Sequence, residues 1–327
     1  MRHYCTYFDE GYLSRGLVLY RSLRALGEPF RLWVLALTPT CAERLRALAL
    51  PEMEVHALES LEAADPELFT VKGSRSRVEY YFTCSPCWPR RVLALAPEAD
   101  AVTYLDADLA FFASPEPLHA ALAQGHVSLI PHRFAPRVPA RFRRSGVYNV
   151  AWLGFRRSAE GLACLDWWRA RCLEWCHDRY EPERYADQKY LEGFAKQFPD
   201  VVVLDHPGAN LAPWNVDGHR LRDEAGVTVD GQPLIFFHYQ GLRAVGGGWF
   251  DVNLLPYRAR LVPVLRDAVY RPYLRALAAA EAELAERGLG ATALSQRRAG
   301  VPALRRWASR IAGLGLAVAH RQLLRAD

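Results

Sequence analysis

Residues 101–112, AVTYLDADLAFF, limit the architecture of this chain more than any other segment. An apolar, β-prone run leads straight into Asp106-Ala107-Asp108 and then back into apolar residues. Two carboxylates at the carboxyl end of a buried strand are costly to desolvate unless positive charge stands beside them. Side chains two apart on a strand point to one face, so Asp106 and Asp108 can both reach a single hard cation through oxygen. Mn²⁺ or Mg²⁺ suits that donor chemistry and would bridge to the diphosphate of a nucleotide ligand. A pair of solvated loop acids is the plainer alternative; the apolar flanks and the strand-end position favour the metal.

The strand before this pair belongs to a series. Apolar β-prone runs at residues 3–8, 31–37, 54–58 and 101–105 alternate with helix-period stretches at 14–26, 40–49 and 76–95, the pattern of a parallel sheet covered by helices. Pro86 and Pro89 predict that the last of these helices is interrupted or bent. The second half is less regular, with strands expected at 126–130, 147–155, 201–204 and 234–238 and helices at 159–176 and 187–198. An α/β fold whose mixed sheet has an antiparallel part fits this better than a uniformly parallel one. From Pro256 onward the chain is rich in Ala, Leu and Arg, with helices expected at 261–286 and 301–324. This divides it into a body, 1–256, and a basic helical C-terminal extension, 257–327.

Charge and composition narrow the function. The 327 residues are 51% hydrophobic and 24% charged, as expected of a folded chain. From Tyr257 to the end there are 13 Arg against 5 acidic residues, a net +8, so the preceding 256 residues carry −3 of the total +5. A slightly acidic body without basic runs and interleaved aromatics is not a nucleic-acid-binding domain. The longest apolar stretch, 311–319, is far short of the roughly 20 residues that cross a bilayer, and residues 1–10 lack a secretory signal, so the expectation is a cytoplasmic protein. Arg305, Arg306, Arg310, Arg321 and Arg325 share the tail with Trp307, Ile311 and Leu314. That mixture fits peripheral contact with the anionic inner face of a membrane, or equally a helix docked on the body. The seven cysteines are odd in number and scattered. The lone C-x-x-C of Cys84 and Cys87 reads as buried structural thiols rather than a metal or redox site.

Four motifs follow one another over about the first 250 residues: Tyr104-Leu105-Asp106-Ala107-Asp108, Gly146-Val147-Tyr148-Asn149, Asp187-Gln188 and His238-Tyr239-Gln240-Gly241. In these residues and their order the chain resembles the GT-A fold glycosyltransferases, and among them the family-8-like retaining enzymes that include glycogenin and bacterial lipopolysaccharide galactosyltransferases. The resemblance implies a Rossmann-like mixed sheet flanked by helices that binds a nucleotide sugar. It also implies a metal set of Asp106, Asp108 and His238; by itself His238 reads equally as a core or turn histidine. Where the family keeps a lysine for the diphosphate, Gly241 is followed here by Leu242, Arg243 and Ala244, and Arg243 is the nearest cation. Gly246, Gly247 and Gly248 read as a loop closing over the donor or as a plain turn.

The remaining site assignments also rest on the resemblance. Asp9 and Tyr12 match the nucleotide-base site, with helix capping and surface packing as their alternatives. Arg77 is expected at phosphate and sugar, with Arg75 as a competitor. Asn149 would hold donor hydroxyls, and Asp187 and Gln188 would face the anomeric carbon as the catalytic pair; Asp187 is equally a helix N-cap. Asn210 lies in the proline-bounded stretch 206–215 between two strands, which reads as a sugar-binding loop. Together these imply a metal-dependent hexosyltransferase, with a UDP-linked sugar as the expected nucleotide-sugar donor and a saccharide or lipid-linked acceptor. One rival is a sugar-nucleotide pyrophosphorylase, which needs a glycine-rich basic loop that residues 8–16 do not supply. The other is a noncatalytic sugar-nucleotide-binding or scaffold protein of a polysaccharide cluster.

Overall fold

The computed structural model of the chain describes residues 1–289 and 322–326. Its first eight strands are β1 (Arg2–Phe8), β2 (Phe30–Ala36), β3 (Met53–Ala57), β4 (Ala101–Leu105), β5 (Leu109–Phe111), β6 (Val127–Pro131), β7 (Tyr148–Arg156) and β8 (Val201–Val203). All but β5 form one sheet in the order β3-β2-β1-β4-β7-β6-β8. Strands β3, β2, β1 and β4 are parallel, whereas β7 runs antiparallel to both β4 and β6, and β8 is parallel to β6. The mixed sheet flanked by helices is thus the architecture the chain adopts.

Alternation along the strands sets two cores, one on each face. Tyr4, Phe8, Leu32 and Val34 pack with Leu13, Leu17, Cys41 and Leu45 of the helices Leu13–Ala25 and Pro39–Leu48. Cys5, Trp33 and Leu35 pack with Trp88, Val92, Leu165 and Trp168 of the helices Arg77–Leu95 and Ala159–Glu174. Helix Arg77–Leu95 is not interrupted at Pro86 or Pro89, against expectation. Its fully buried Trp88 and Val92 hold it against the sheet, and this packing outweighs the backbone hydrogen bonds the prolines remove. All seven cysteines are buried and free, as expected.

The helix Arg77–Leu95 opens on a capping box. Ser76 Oγ accepts from Glu79 N, and Ser76 N donates to Glu79 Oε2 at 2.8 Å. Glu79 Oε1 also accepts from Asp178 N and lies 3.1 Å from His177 Nδ1. Burial works to raise the Glu79 pKa, but the bonds from Ser76, Asp178 and His177 prevail and hold it at about 2. Glu79→Ala should therefore cost about 1–2 kcal/mol near neutral pH. Because the folded pKa is depressed, this stability is present above the ordinary value of 4.5 and lost as pH falls toward 2. Urea denaturation at pH 7 and pH 3 checks it: the gap between wild type and variant should narrow at the lower pH.

The second half is built of shorter pieces. The helix expected at 187–198 is a 3₁₀ turn, Lys189–Gly193, followed by a single turn, Phe194–Gln197. Strands β9 (Leu221–Asp223), β10 (Val227–Val229) and β11 (Gln232–Pro233) form a small antiparallel sheet. Strand β12 (Phe236–His238) pairs with β5, and β13 (Arg243–Gly246), β14 (Trp249–Asp251) and β15 (Leu323–Arg325) make a third small sheet. The helix expected at 261–286 begins as a π-helical stretch, Leu265–Tyr270, and continues as Arg271–Glu286. Its Ala280 and Leu284 join the same core as Leu13 and Leu17, and Glu283 pairs with Arg21. The helix expected at 301–324 falls outside the described residues as far as 321, and its end is instead strand β15. Among the described residues no helix is long and apolar enough to cross a membrane.

The sheet order places β2 on one side of β1 and β4 on the other. Ligands of open α/β sheets bind in the crevice outside the carboxyl ends at such a reversal. Asp9 follows β1 there, and Asp106 follows β4.

Candidate active site

Asp106 and Asp108 meet His238 because of one strand register. Asp108 precedes β5, which runs antiparallel to β12 with Leu109 opposite His238, and Tyr239 N donates to Asp108 O at 3.0 Å. His238 Nε2 consequently lies 3.1 Å from Asp108 Oδ1 and 3.8 Å from Asp106 Oδ2. One donor atom from each of the three residues falls within 4.8 Å of the other two. Burial alone would lower the His238 pKa; the charges of Asp108 and Asp106 reverse that and raise it. Burial raises the Asp106 pKa, Asp108 adds to this, and His238 offsets part of it. For Asp108 the burial effect is outweighed by His238 and, further off, Arg15, so its pKa is lowered.

The imidazole supplies the test of fit for a metal. His238 is 1% exposed, and neither of its ring nitrogens makes a hydrogen bond of acceptable geometry, despite the short distance to Asp108. A buried imidazole held 3.1 and 3.8 Å from two carboxylates, without a well-aligned hydrogen bond, is placed to share a cation with them. Two oxygens and one imidazole nitrogen are a donor set for a divalent cation such as Mn²⁺ or Mg²⁺. Trp214 packs edge-on against the ring at 5.1 Å, and Tyr104 OH donates to Asp106 Oδ1 at 3.0 Å. Just past the histidine, Gly241 has φ +74°, and a Cβ there would stand 2.0 Å from Asn253 Nδ2, so only glycine turns the chain at this point.

Asp187, Gln188 and Asn149 lie beside this group. Burial lifts the Asp187 pKa to about 7, against a hydrogen bond from Ser85 and with a further push from Asp106. Asn149 Nδ2 donates to Gln188 Oε1 at 3.1 Å, and Gln188 Nε2 donates to Ser145 O at 2.9 Å. His132 Nε2 lies 3.4 Å from Asn149 Nδ2, and Trp214 Nε1 donates to His132 O. Asn210 is fully buried with φ +57°; its Nδ2 donates to Pro131 O, while its Oδ1 has no partner.

On the opposite side, Asp9 caps the turn Glu10–Tyr12 by accepting from Gly11 N at 3.0 Å. Its pKa is raised by burial, with the Gly11 bond opposing and the charge of Arg77 reaching it. Arg77 is exposed at the start of its helix, whereas Arg75 is committed to Leu173 O and His177. Arg243 is paired with Asp251 through Nε and Nη2, at 3.1 and 2.6 Å.

The cation brought to bear on Asp108 is instead Arg15, which the sequence expectations did not include. It is 2% exposed, lies 4.5 Å over the Tyr12 ring and donates Nη2 to Leu242 O at 2.7 Å, while Nε and Nη1 have no partner. Gly16 brings this turn of helix against β1, since a Cβ there would meet the Phe8 ring at 2.3 Å. The signal was legible: Arg15 shares a helix face with Val18 and Leu19, so its charge sits on the apolar side. Trp214 lies in the stretch expected to form a sugar-binding loop, and nothing in its spacing or that of His132 marks them as neighbours of His238.

No family model matches the chain. It is 31% identical over 251 residues to the uncharacterized protein YfnF of Bacillus subtilis (strain 168), covering 74% of this chain and 82% of YfnF. It is 30% identical over 275 residues to YfnD of the same organism, covering 83% of this chain and 87% of YfnD. Among solved structures it is similar to mouse xyloside xylosyltransferase 1, with TM-score 0.48 and 14% identity over 73% of this chain and 98% of that one. It is also similar to the galactosyltransferase LgtC in complex with donor and acceptor sugar analogues, with TM-score 0.47 and 17% identity over 94% and 99%. A third is the glycosyltransferase GlyE of Streptococcus pneumoniae TIGR4, with TM-score 0.48 and 16% identity over 90% and 66%. On its two B. subtilis relatives, the chain belongs to the protein family of YfnF and YfnD.

Proposed function

We propose that the chain is a metal-dependent glycosyltransferase that moves a hexose from a UDP-linked sugar to a saccharide or lipid-linked acceptor with retention of configuration. The observation that carries this reading is the group of Asp106, Asp108 and buried His238, whose donor atoms lie within 4.8 Å of one another beside the reversal point of the sheet. A divalent Mn²⁺ or Mg²⁺ held by these three residues would neutralise charge on the diphosphate leaving group. A noncatalytic sugar-nucleotide-binding or scaffold protein has no use for this donor set.

The side chains then divide the work. Asp9 accepts a base N–H with the oxygen capacity its Gly11 bond leaves over, and Tyr12, backed by Arg15, offers a ring for the base to stack on. Arg77 stands beside Asp9 and meets phosphate or sugar. Arg15 adds positive charge near Asp108, where the loop after Gly241 has no lysine and Arg243 is already paired. Asn149 and Asn210 hold donor hydroxyls. Asp187, with a pKa of about 7, is partly protonated near neutrality and can donate as well as accept a hydrogen bond at the sugar. Gln188, anchored through Nε2, keeps a lone pair of Oε1 for the β-face of the sugar, where an oxocarbenium-like centre needs electron density.

Thermal unfolding with UDP, GDP, CMP, ADP and dTDP, each with and without Mn²⁺, tests the proposal without an acceptor. A ligand at about 100 times its Kd adds ~2.7 kcal/mol to stability, a rise of several degrees in Tm. The expected result is a rise for UDP that requires Mn²⁺. The reading is overturned by no rise with any nucleotide, or by one indifferent to metal.

A further inference from the structure

We infer that the acceptor is an anionic glycan, a saccharide bearing phosphate or carboxylate groups, received by exposed arginines on residues 133–144 and 258–260 at the rim of the site. This rests on the glycosyltransferase reading and adds the chemistry of its second substrate.

The rim is tied to the site at both ends. Residues 133–144 leave His132, which packs against Trp214, the neighbour of His238, and return at Ser145, whose carbonyl accepts from Gln188. Phe142 of this segment meets Tyr257 at a tilt, ring centres 4.6 Å apart, and Tyr257 meets Trp214 edge-on at 6.2 Å. Arg258 and Arg260 follow Tyr257 directly. Aromatic contacts therefore lead outward from His238 through Trp214 to His132 and Tyr257, and so to both arginine-bearing segments.

Their charge is unbalanced. Arg137, Arg141, Arg143, Arg144, Arg258 and Arg260 are all exposed. The sequence has no Asp or Glu between Glu116 and Glu160, and none between Asp251 and Asp267. Among the described residues none of these six forms an ion pair, whereas several arginines elsewhere on the surface do, among them Arg2 with Glu116, Arg31 with Glu54, Arg90 with Asp166 and Arg179 with Glu181. Like charges gathered without counter-charges repel one another and destabilise the folded state unless an anion is drawn to them. Guanidinium forks match phosphate and carboxylate oxygens bidentately, and at the edge of a cleft they also steer anions inward.

The aromatics argue for sugar rather than for a lipid surface. Phe134 stacks on His132 at 4.6 Å and Phe142 meets Tyr257 at a tilt, both half-buried, with Arg143 and Arg141 lying over their rings. The surface thus offers guanidinium groups to a glycan rather than a row of apolar side chains to a bilayer.

The test uses four probes: an oligogalacturonate, a phosphate-bearing oligomannoside, a maltooligosaccharide of the same length, and vesicles of phosphatidylcholine with phosphatidylglycerol. Binding is measured at several salt concentrations for wild type, for Arg141→Glu with Arg144→Glu, and for Arg258→Glu. Wild type should bind one or both anionic oligosaccharides at least 10-fold more tightly than the neutral one at low salt, with the preference shrinking as salt rises. The double variant should lose about 10-fold or more, and all variants should keep the metal-dependent response to UDP, which shows that they fold. The inference is overturned by equal binding of the neutral probe, by variants that bind like wild type, or by these arginines capturing vesicles alone. If anions bind but no nucleotide does, the transferase reading fails and the anionic partner is no longer an acceptor. If the UDP response stands and anion selectivity is absent, only this inference fails.

Discussion

Asp108→Asn should abolish the Mn²⁺-dependent part of nucleotide binding while leaving the fold intact. Asparagine keeps the shape and one oxygen but loses the charge, and of the two carboxylates Asp108 is the more deeply buried and lies nearer His238. Removing groups that merely orient metal ligands lowers metal affinity about 10- to 100-fold, so loss of an anionic ligand should cost at least ~100-fold. The Tm rise with UDP and Mn²⁺ should therefore vanish, and whatever rise UDP gives without metal should remain. Stability of the ligand-free variant should change modestly, because His238 can shed its proton once the Asp108 charge is gone and relief of the Asp106–Asp108 repulsion offsets the anion lost near Arg15. Titration calorimetry with Mn²⁺ alone separates the two ligands. A variant that binds Mn²⁺ and UDP as wild type does would remove Asp108 from the site, and with it the geometry on which the function was argued.

How far the sequence reveals such a site depends on whether a residue's neighbours are local. Strands β1 to β4 and the helices expected at 14–26, 40–49 and 76–95 were legible within one or two residues, since they carry a clear period, whereas the short helices Leu58–Ala64 and Pro66–Val71 were not foreseen. Strands β5 and β13 to β15 have three or four residues each, too few to show a period, and β5, β14 and β15 each pair with a partner distant in sequence. The pairing of β15 with β14 joins residues more than 70 positions apart, so a helical pattern at 301–324 gave no hint of its end in a strand. In the site, Asp106 and Asp108 declare themselves by interrupting an apolar run, whereas His238 was placed only through the family resemblance. Its proximity to Asp108 follows from the β5–β12 register, which no local pattern encodes. For Asp9 the capping alternative holds, since its carboxylate accepts from Gly11 N.

Arg15 gives the clearest separation of a functional role from a structural one. Its guanidinium is buried with a single hydrogen bond, to Leu242 O, and no carboxylate within ion-pair distance. A buried charge so poorly satisfied is a burden on the unliganded fold, and replacing it with an apolar side chain of similar length is neutral or stabilising in many proteins. A donor diphosphate changes the balance: two carboxylates and a divalent cation cancel, so Arg15 is the charge left over to meet it. Arg15→Met should therefore leave the unliganded Tm unchanged or raise it, and should weaken UDP binding in Mn²⁺ by about 10- to 100-fold, the worth of a charge-assisted hydrogen bond of ~1.5–3 kcal/mol. Uridine, which has no phosphate, should bind wild type and variant alike, and Arg15→Lys should recover part of the UDP affinity. A role confined to packing Tyr12 and the Leu242 loop gives the opposite signature: a lower Tm without ligand, equal loss for uridine and UDP, and no recovery with lysine. Melting curves and titrations on these two variants decide between them.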